Sequence, residues 1–171
     1  RPYGTLIQSD SGKLYGMTRE GGINDMGILF EYDPTNNLFI KKRDFNFSDG
    51  FHPIGSLLQA NNKLYGMTEE GGANNKGVLF EYDITTNIYT KKIDFDGTNK
   101  GSYAVGSLIQ ATNGRIYGMT YKGGANDFGV LFEYDIDSEL YVKKLDFDGL
   151  NGKRPGGSLI QASDGKLYGL N

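Results

Sequence analysis

Apolar residues in this chain come in short blocks, each about the length of a strand and each ending in glycine, asparagine, aspartate or lysine. The block over 78–83 opens on Val-Leu-Phe. A continuous apolar start of this kind predicts a strand covered on both faces. Residues 107–111 and 115–120 read as two further strands joined by Thr112-Asn113-Gly114. Asn-Gly supplies the positive φ angles that a tight hairpin needs, and Asp164-Gly165 offers the same signal. A fourth strand is predicted over 88–96, where Lys91-Lys92 is matched elsewhere by Lys41-Lys42 and Lys143-Lys144. Lysines on an outer strand blunt an edge that would otherwise pair with other sheets. No window suits a helix, because glycines and β-branched residues interrupt every candidate.

The strand pattern repeats. Gly4-Thr5-Leu6-Ile7-Gln8 returns at Gly55, Gly106 and Gly157, a period of 51 residues. Each copy then carries a Tyr-Gly (Tyr15, Tyr65, Tyr117, Tyr168), and the first three go on to a Gly-Gly pair, a Leu-Phe-Glu-Tyr-Asp block and an Asp-Phe. A unit of about 50 residues with four antiparallel strands is the size of a propeller blade. The expected fold is therefore all-β, a partial β-propeller. Repeats span 4–54, 55–105 and 106–156, and 157–171 supply the first two strands of a fourth. Propellers need about four to eight blades, so these are expected to join the remaining blades of a longer chain, another copy of this one, or missing residues that complete a small four-bladed ring. The opening at Arg1 favours a processed or excised piece. An isolated piece would expose an apolar blade face and associate.

Two resemblances rest on these residues. The order of second strand, Gly-Gly, third strand with Tyr-Asp and a later aromatic (Phe39, Tyr89, Tyr141) resembles the kelch blade, although kelch usually has Trp there and this chain has none. Leu64-Tyr65-Gly66-Met67-Thr68, Gly71-Gly72 and Gly77-Val78-Leu79-Phe80 are more similar to the bacterial tandem repeat known as GloVer. That resemblance covers essentially the whole chain. It implies a secreted or surface-anchored bacterial protein built as a propeller, and it implies no activity.

Composition narrows the chemistry. There are 26 glycines, about twice the usual share, which the repeated turns and strand starts absorb. A net charge of −3 disfavours nucleic acid, which is bound largely by clustered Lys and Arg. The absence of cysteine removes disulfides and thiolate chemistry. No apolar run is long enough for a membrane span. The single histidine is His52, and no Walker or dinucleotide fingerprint occurs. Ser56, Ser107 and Ser158 follow a glycine at a strand start and read as backbone geometry. Glu31, Glu81 and Glu133 recur in every copy, so solvent exposure or a hydrogen bond within the blade is expected of them rather than acid/base work.

Positions that vary between copies are free to serve a ligand. In an up-and-down blade the second-to-third and fourth-to-first connections share one face, and loops on a rigid scaffold commonly carry binding residues. The candidates there are Arg19, Glu20, Asp25, Met26, Phe51, His52, Lys76, Tyr103, Tyr121, Lys122 and Phe128. Aromatics among them can stack on sugars, anchor protein contacts or pack between blades. A second candidate is a calcium loop formed by Asp94, Asp96 and Asn99 and again by Asp146, Asp148 and Asn151, with an Asp/Gly turn as the plainer use. The leading expectation is a non-catalytic scaffold on a bacterial surface, binding glycan or protein through the loop-rich face. Its rivals are a propeller enzyme acting on polysaccharide, with catalytic residues partly outside this chain, and a structural spacer.

Overall fold

A computed structural model describes residues 1–169. All its regular structure is β, in three four-stranded antiparallel sheets and one two-stranded pair. The first sheet runs β1 (Ile7–Gln8), β2 (Leu14–Thr18), β3 (Ile28–Asp33) and β4 (Leu38–Asp44) in sequence order. The second runs β5 (Leu58–Ala60), β6 (Lys63–Met67), β7 (Val78–Asp83) and β8 (Tyr89–Asp94). The third runs β9 (Ile109–Gln110), β10 (Ile116–Met119), β11 (Val130–Tyr134) and β12 (Tyr141–Asp146), and the pair is β13 (Ile160–Gln161) with β14 (Leu167–Tyr168). These are successive propeller blades, and their order matches the 51-residue copies.

The second sheet is apolar on both faces, because it is sandwiched between the first and the third. Along β6 and β7, Leu64, Phe80 and Tyr82 point toward the first blade, where they cluster with Tyr15, Met17, Leu29 and Phe45. The alternate residues Tyr65, Met67 and Leu79 point the other way and cluster with Leu108, Ile116, Phe132 and Tyr134 of the third blade. The period of two thus sorts one strand into two cores.

The first strands form the hub. Ser56 Oγ accepts from Thr5 N at 2.8 Å, Ser107 Oγ from Ser56 N at 2.8 Å, and Ser158 Oγ from Ser107 N at 3.0 Å. These serines are therefore inter-blade ties, a role beyond strand-start geometry. The preceding glycines make them possible, since a Cβ on Gly55 would lie 2.2 Å from Gly106 O and one on Gly106 would lie 2.3 Å from Gly157 O.

Two local expectations change. At Asn113-Gly114 and Asp164-Gly165 only the glycine has positive φ (80° at both), and the N–H of Gly114 bonds Ala111 O. That is a type I turn closed by a glycine bulge. The turn with two left-handed residues is Asn61-Asn62 (φ 49° and 60°), where Ala60 pairs with Lys63. The lysine pairs also do more than blunt an edge. The ladder slips between Leu29/Phe30, Leu79/Phe80 and Leu131/Phe132, leaving Lys42, Lys92 and Lys144 as bulge residues on the outer strands. Their ammonium groups turn inward to the repeated glutamates, at 3.1, 3.7 and 3.3 Å respectively.

Candidate functional site

The three repeated glutamates are buried rather than solvent-exposed. Tyr15, Tyr65 and Tyr117 donate to Glu31, Glu81 and Glu133 at 3.0, 2.8 and 2.7 Å. A second base joins each set: Lys13 at 2.5 Å, Lys63 at 2.7 Å, and Arg115. Burial pushes each carboxyl up, but the tyrosine and base hydrogen bonds outweigh it and hold all three below the ordinary range. A general acid needs the opposite shift. These residues fasten the sheet, as their presence in every copy implies.

The varied residues gather on the other theme of the fold, the loop face at the blade junctions. The fourth-to-first connector of each blade lies between the second-to-third loops of two neighbours. In the first junction His52 N donates to Met26 O and His52 O accepts from Glu69 N, while Phe51 and Glu70 exchange both backbone hydrogen bonds. In the second, Tyr103 N donates to Lys76 O, Tyr103 O accepts from Tyr121 N, and Ser102 and Lys122 exchange theirs. Arg154 N bonds Phe128 O in the third.

Backbone conformation singles out this connector position. His52, Tyr103 and Arg154 have φ of 54°, 55° and 52°. Among the described residues the other left-handed positions outside glycine are asparagines, aspartates and Glu139. Asn, Asp and His are enriched in that region, whereas Tyr and Arg there are strained by about 1–3 kcal/mol. The fold holds a large, different side chain at each junction in a conformation that glycine or asparagine would adopt more easily.

Around these residues the junctions differ in chemistry. At the first, Arg19 reaches from its blade to Glu69 of the next at 3.1 Å and also pairs with Glu20 at 3.2 Å. His52 Nδ1 lies 3.5 Å from Glu70 Oε1, and one ligand atom from each of His52, Glu69 and Glu70 falls within 4.8 Å of the others. At the second, Tyr103, Tyr121, Lys122, Val105 and Glu69 line a cleft of about 260 Å3. Lys122 Nζ sits 4.9 Å from the centre of the Tyr103 ring, which fixes both side chains. A polar hollow of about 330 Å3 lies on the hairpin face beside Arg115 and Asp135, but that arginine is already paired with Glu133 and Asp135.

Several expected binding residues have structural duties instead. Phe51 is 5% exposed and packs against Phe47 and His52. Met26 is packed against the core between the first two blades, and Phe128 against the core beyond the third. Asp25 is exposed, but it turns back to accept from the Gly21 N–H of its own loop, as its counterpart in the third copy, Asp127, does from Gly123. Lys76 folds over Gly97. Arg19, Glu20, His52, Tyr103, Tyr121 and Lys122 remain at the junctions with part of each side chain open to solvent.

The proposed calcium oxygens do not converge. Asp94 Oδ1 accepts from Ala73 N at 2.7 Å and pairs with Lys91, and Asp146 does the same with Ala125 and Lys143. Asp96 accepts from Asn99 N and Lys100 N, and Asp148 from Leu150 N and Asn151 N. Among the described residues none of these aspartates belongs to a cluster of three potential ligands. They cap loops and turns.

Comparison with known proteins agrees with this architecture. The pattern of the Gloeobacter/Verrucomicrobia repeat matches residues 1–171. No curated protein matches. Among solved structures, the extracellular domain of a one-component system from B. thetaiotaomicron superposes with a TM-score of 0.68 at 18% identity, covering 98% of this chain and 20% of that one. The extracellular domain of a hybrid two-component system from the same organism gives 0.64 at 13% identity, again over 98% and 20%. TolB from Acinetobacter baumannii gives 0.57 at 13% identity, over 98% and 38%. The chain thus spans only a part of each of these propeller structures.

Proposed function

The chain belongs to the Gloeobacter/Verrucomicrobia repeat family, and from that premise we propose that it is a non-catalytic binding scaffold acting outside the bacterial cell. The carrying observation is the left-handed connector position. Three junctions share one left-handed backbone conformation, strained at two of them, yet present His52, Tyr103 and Arg154. Strain retained under a changing side chain supports selection of that side chain for what it touches.

The ligand we assign to the second junction is a glycan. Tyr103 and Tyr121 offer aromatic surface for a sugar ring, and Lys122 and Glu69 offer polar contacts beside it. A cleft of about 260 Å3 suits a sugar unit or two better than the broad surface that a protein partner buries. The extracellular assignment draws support from the two extracellular domains that share the fold. We further assign the apolar outer faces of the array, Leu6 and Phe39 at one end and Leu145 and Ile160 at the other, to contact with remaining blades or another copy.

A glycan array probed with the tag-free chain and with Tyr103→Ala and Tyr121→Ala tests this. Selective binding by the parent, lost in both variants at unchanged melting temperature, is the expected result. Absence of binding, or binding indifferent to both changes, would leave the scaffold as a structural spacer. Release of reducing ends from a bound polysaccharide would favour the enzyme.

A further inference from the structure

We propose that the first junction is a binding site for a borderline divalent transition metal of the zinc type, with His52, Glu69 and Glu70 as its ligands. The donor set is one imidazole nitrogen and two carboxylates, drawn from a connector and from the loop it crosses. Imidazole with carboxylate suits zinc and its neighbours, whereas calcium requires six to eight oxygens. Three protein ligands leave an open position for water or for a ligand's own donor atom.

The ligands are presented by a rigid frame. Phe51 and Glu70 are paired through two backbone hydrogen bonds, and His52 is tied to Met26 and Glu69 through two more. The side chains therefore need only rotamer changes to converge. The packing of Phe51 on the His52 ring, centroids 4.7 Å apart, limits the imidazole further.

This donor set is not a requirement of the fold. The positions equivalent to His52, Glu69 and Glu70 are Tyr103, Tyr121 and Lys122 in the next junction, where the same backbone bonds form with no imidazole or carboxylate at any of the three. What competes with a metal here is Arg19, which holds Glu69 at 3.1 Å. That ion pair uses Glu69 Oε2, so an ion taking this carboxylate competes with the guanidinium for its charge. Metal binding is thereby coupled to a weakened Arg19–Glu69 pair, a change in the contact between the first and second blades.

The chain has one histidine, so its imidazole signals in an NMR spectrum are unambiguous. Titration of the tag-free, chelator-treated chain with zinc chloride should shift the His52 ring signals saturably at one ion per chain. Calorimetry should show binding weakened at least ~10-fold in His52→Asn, a change that keeps a residue suited to the left-handed backbone. In Arg19→Gln the affinity should rise, by up to about fivefold, because the competing ion pair is gone. Histidine signals that do not move with zinc, or affinity unaltered in His52→Asn, would overturn the site. Equal zinc affinity in Arg19→Gln and the parent would overturn the coupling. Glu69 borders both the zinc site and the glycan cleft, so the zinc titration is read with no glycan present.

Discussion

The first and second blades are built from nearly the same residues, but they live in different surroundings. Leu57 is 6% exposed, held between its own sheet and the blade before it, while its counterpart Leu6 is 51% exposed. Phe80 is buried beneath a stacked Tyr89 whose hydroxyl donates to Asp49 O of the preceding connector at 2.6 Å. The equivalent Phe30 and Phe39 also stack, yet Phe39 is 55% exposed and has no hydroxyl to offer. A repeated residue therefore has no fixed energetic value. Its worth comes from the neighbouring blade, as expected where stability is a sum of units and nearest-neighbour interfaces.

The strongest way to probe this difference is Glu81→Ala. The change leaves Lys63, Lys92 and Tyr65 around an empty carboxylate position between the second and third blades. Removing one member of a buried ionic set costs about 3–5 kcal/mol. Glu133→Ala, whose partner Tyr117 is only partly buried, should cost less in the same urea titration. The same set fixes the pH dependence. The three glutamates have folded-state pKa values below their ordinary range, so their contribution is present above that range and is lost as pH falls through the lowered values. Tyr15 and Tyr65 shift upward through burial and their glutamate partners, so their contribution is lost as pH rises past the ordinary tyrosine range. Melting temperature against pH should form a plateau that falls at both ends, and Glu81→Gln should flatten the acid side.

Leu57→Ala against Leu6→Ala comes next. The first should cost about 2–5 kcal/mol and the second no more than about 0.5 kcal/mol, read from paired denaturant midpoints. Comparable losses would mean that the outer face of the first blade is covered in solution. The smallest effect is a gain. Tyr32 and Tyr82 donate to Asn37 and Asn87, but the third blade has Glu139 at that left-handed position and the buried Tyr134 hydroxyl lacks a partner. Glu139→Asn should restore the bond and raise stability by about 1 kcal/mol, less the loss of the surface contact with Lys92.

Much of this architecture was legible because the period carries it. The strand over 78–83 lies where its apolar run placed it, and the copies became the blades. The first strands are shorter than expected, Ile109–Gln110 inside a predicted 107–111, because the hub serines direct their hydrogen bonds across blades. No single copy contains that partner, so no pattern within a copy could show it. The Tyr-Glu-Lys sets are hidden in the sequence for a related reason: cross-strand register and a bulge bring together residues 11 to 18 positions apart. On the loop face, variation between copies named His52, Tyr103, Tyr121 and Lys122 as candidate binding residues, and the fold sets them at the blade junctions. It could not separate them from Phe51, Asp25 and Phe128, whose packing and turn contacts appear only in three dimensions. Glu69 and Glu70 varied too, but their approach to His52 depends on a connector meeting a loop of the next blade.

Native-state hydrogen exchange on dilute monomer tests the dependence on neighbours most directly, since it reports opening free energy strand by strand. Amides of β7, flanked by blades on both sides, are expected to exchange only through global unfolding, while those of β3 open earlier by a local route. Equal protection of β3 and β7 would contradict the view that neighbouring blades, rather than the repeated residues alone, set the stability of each blade.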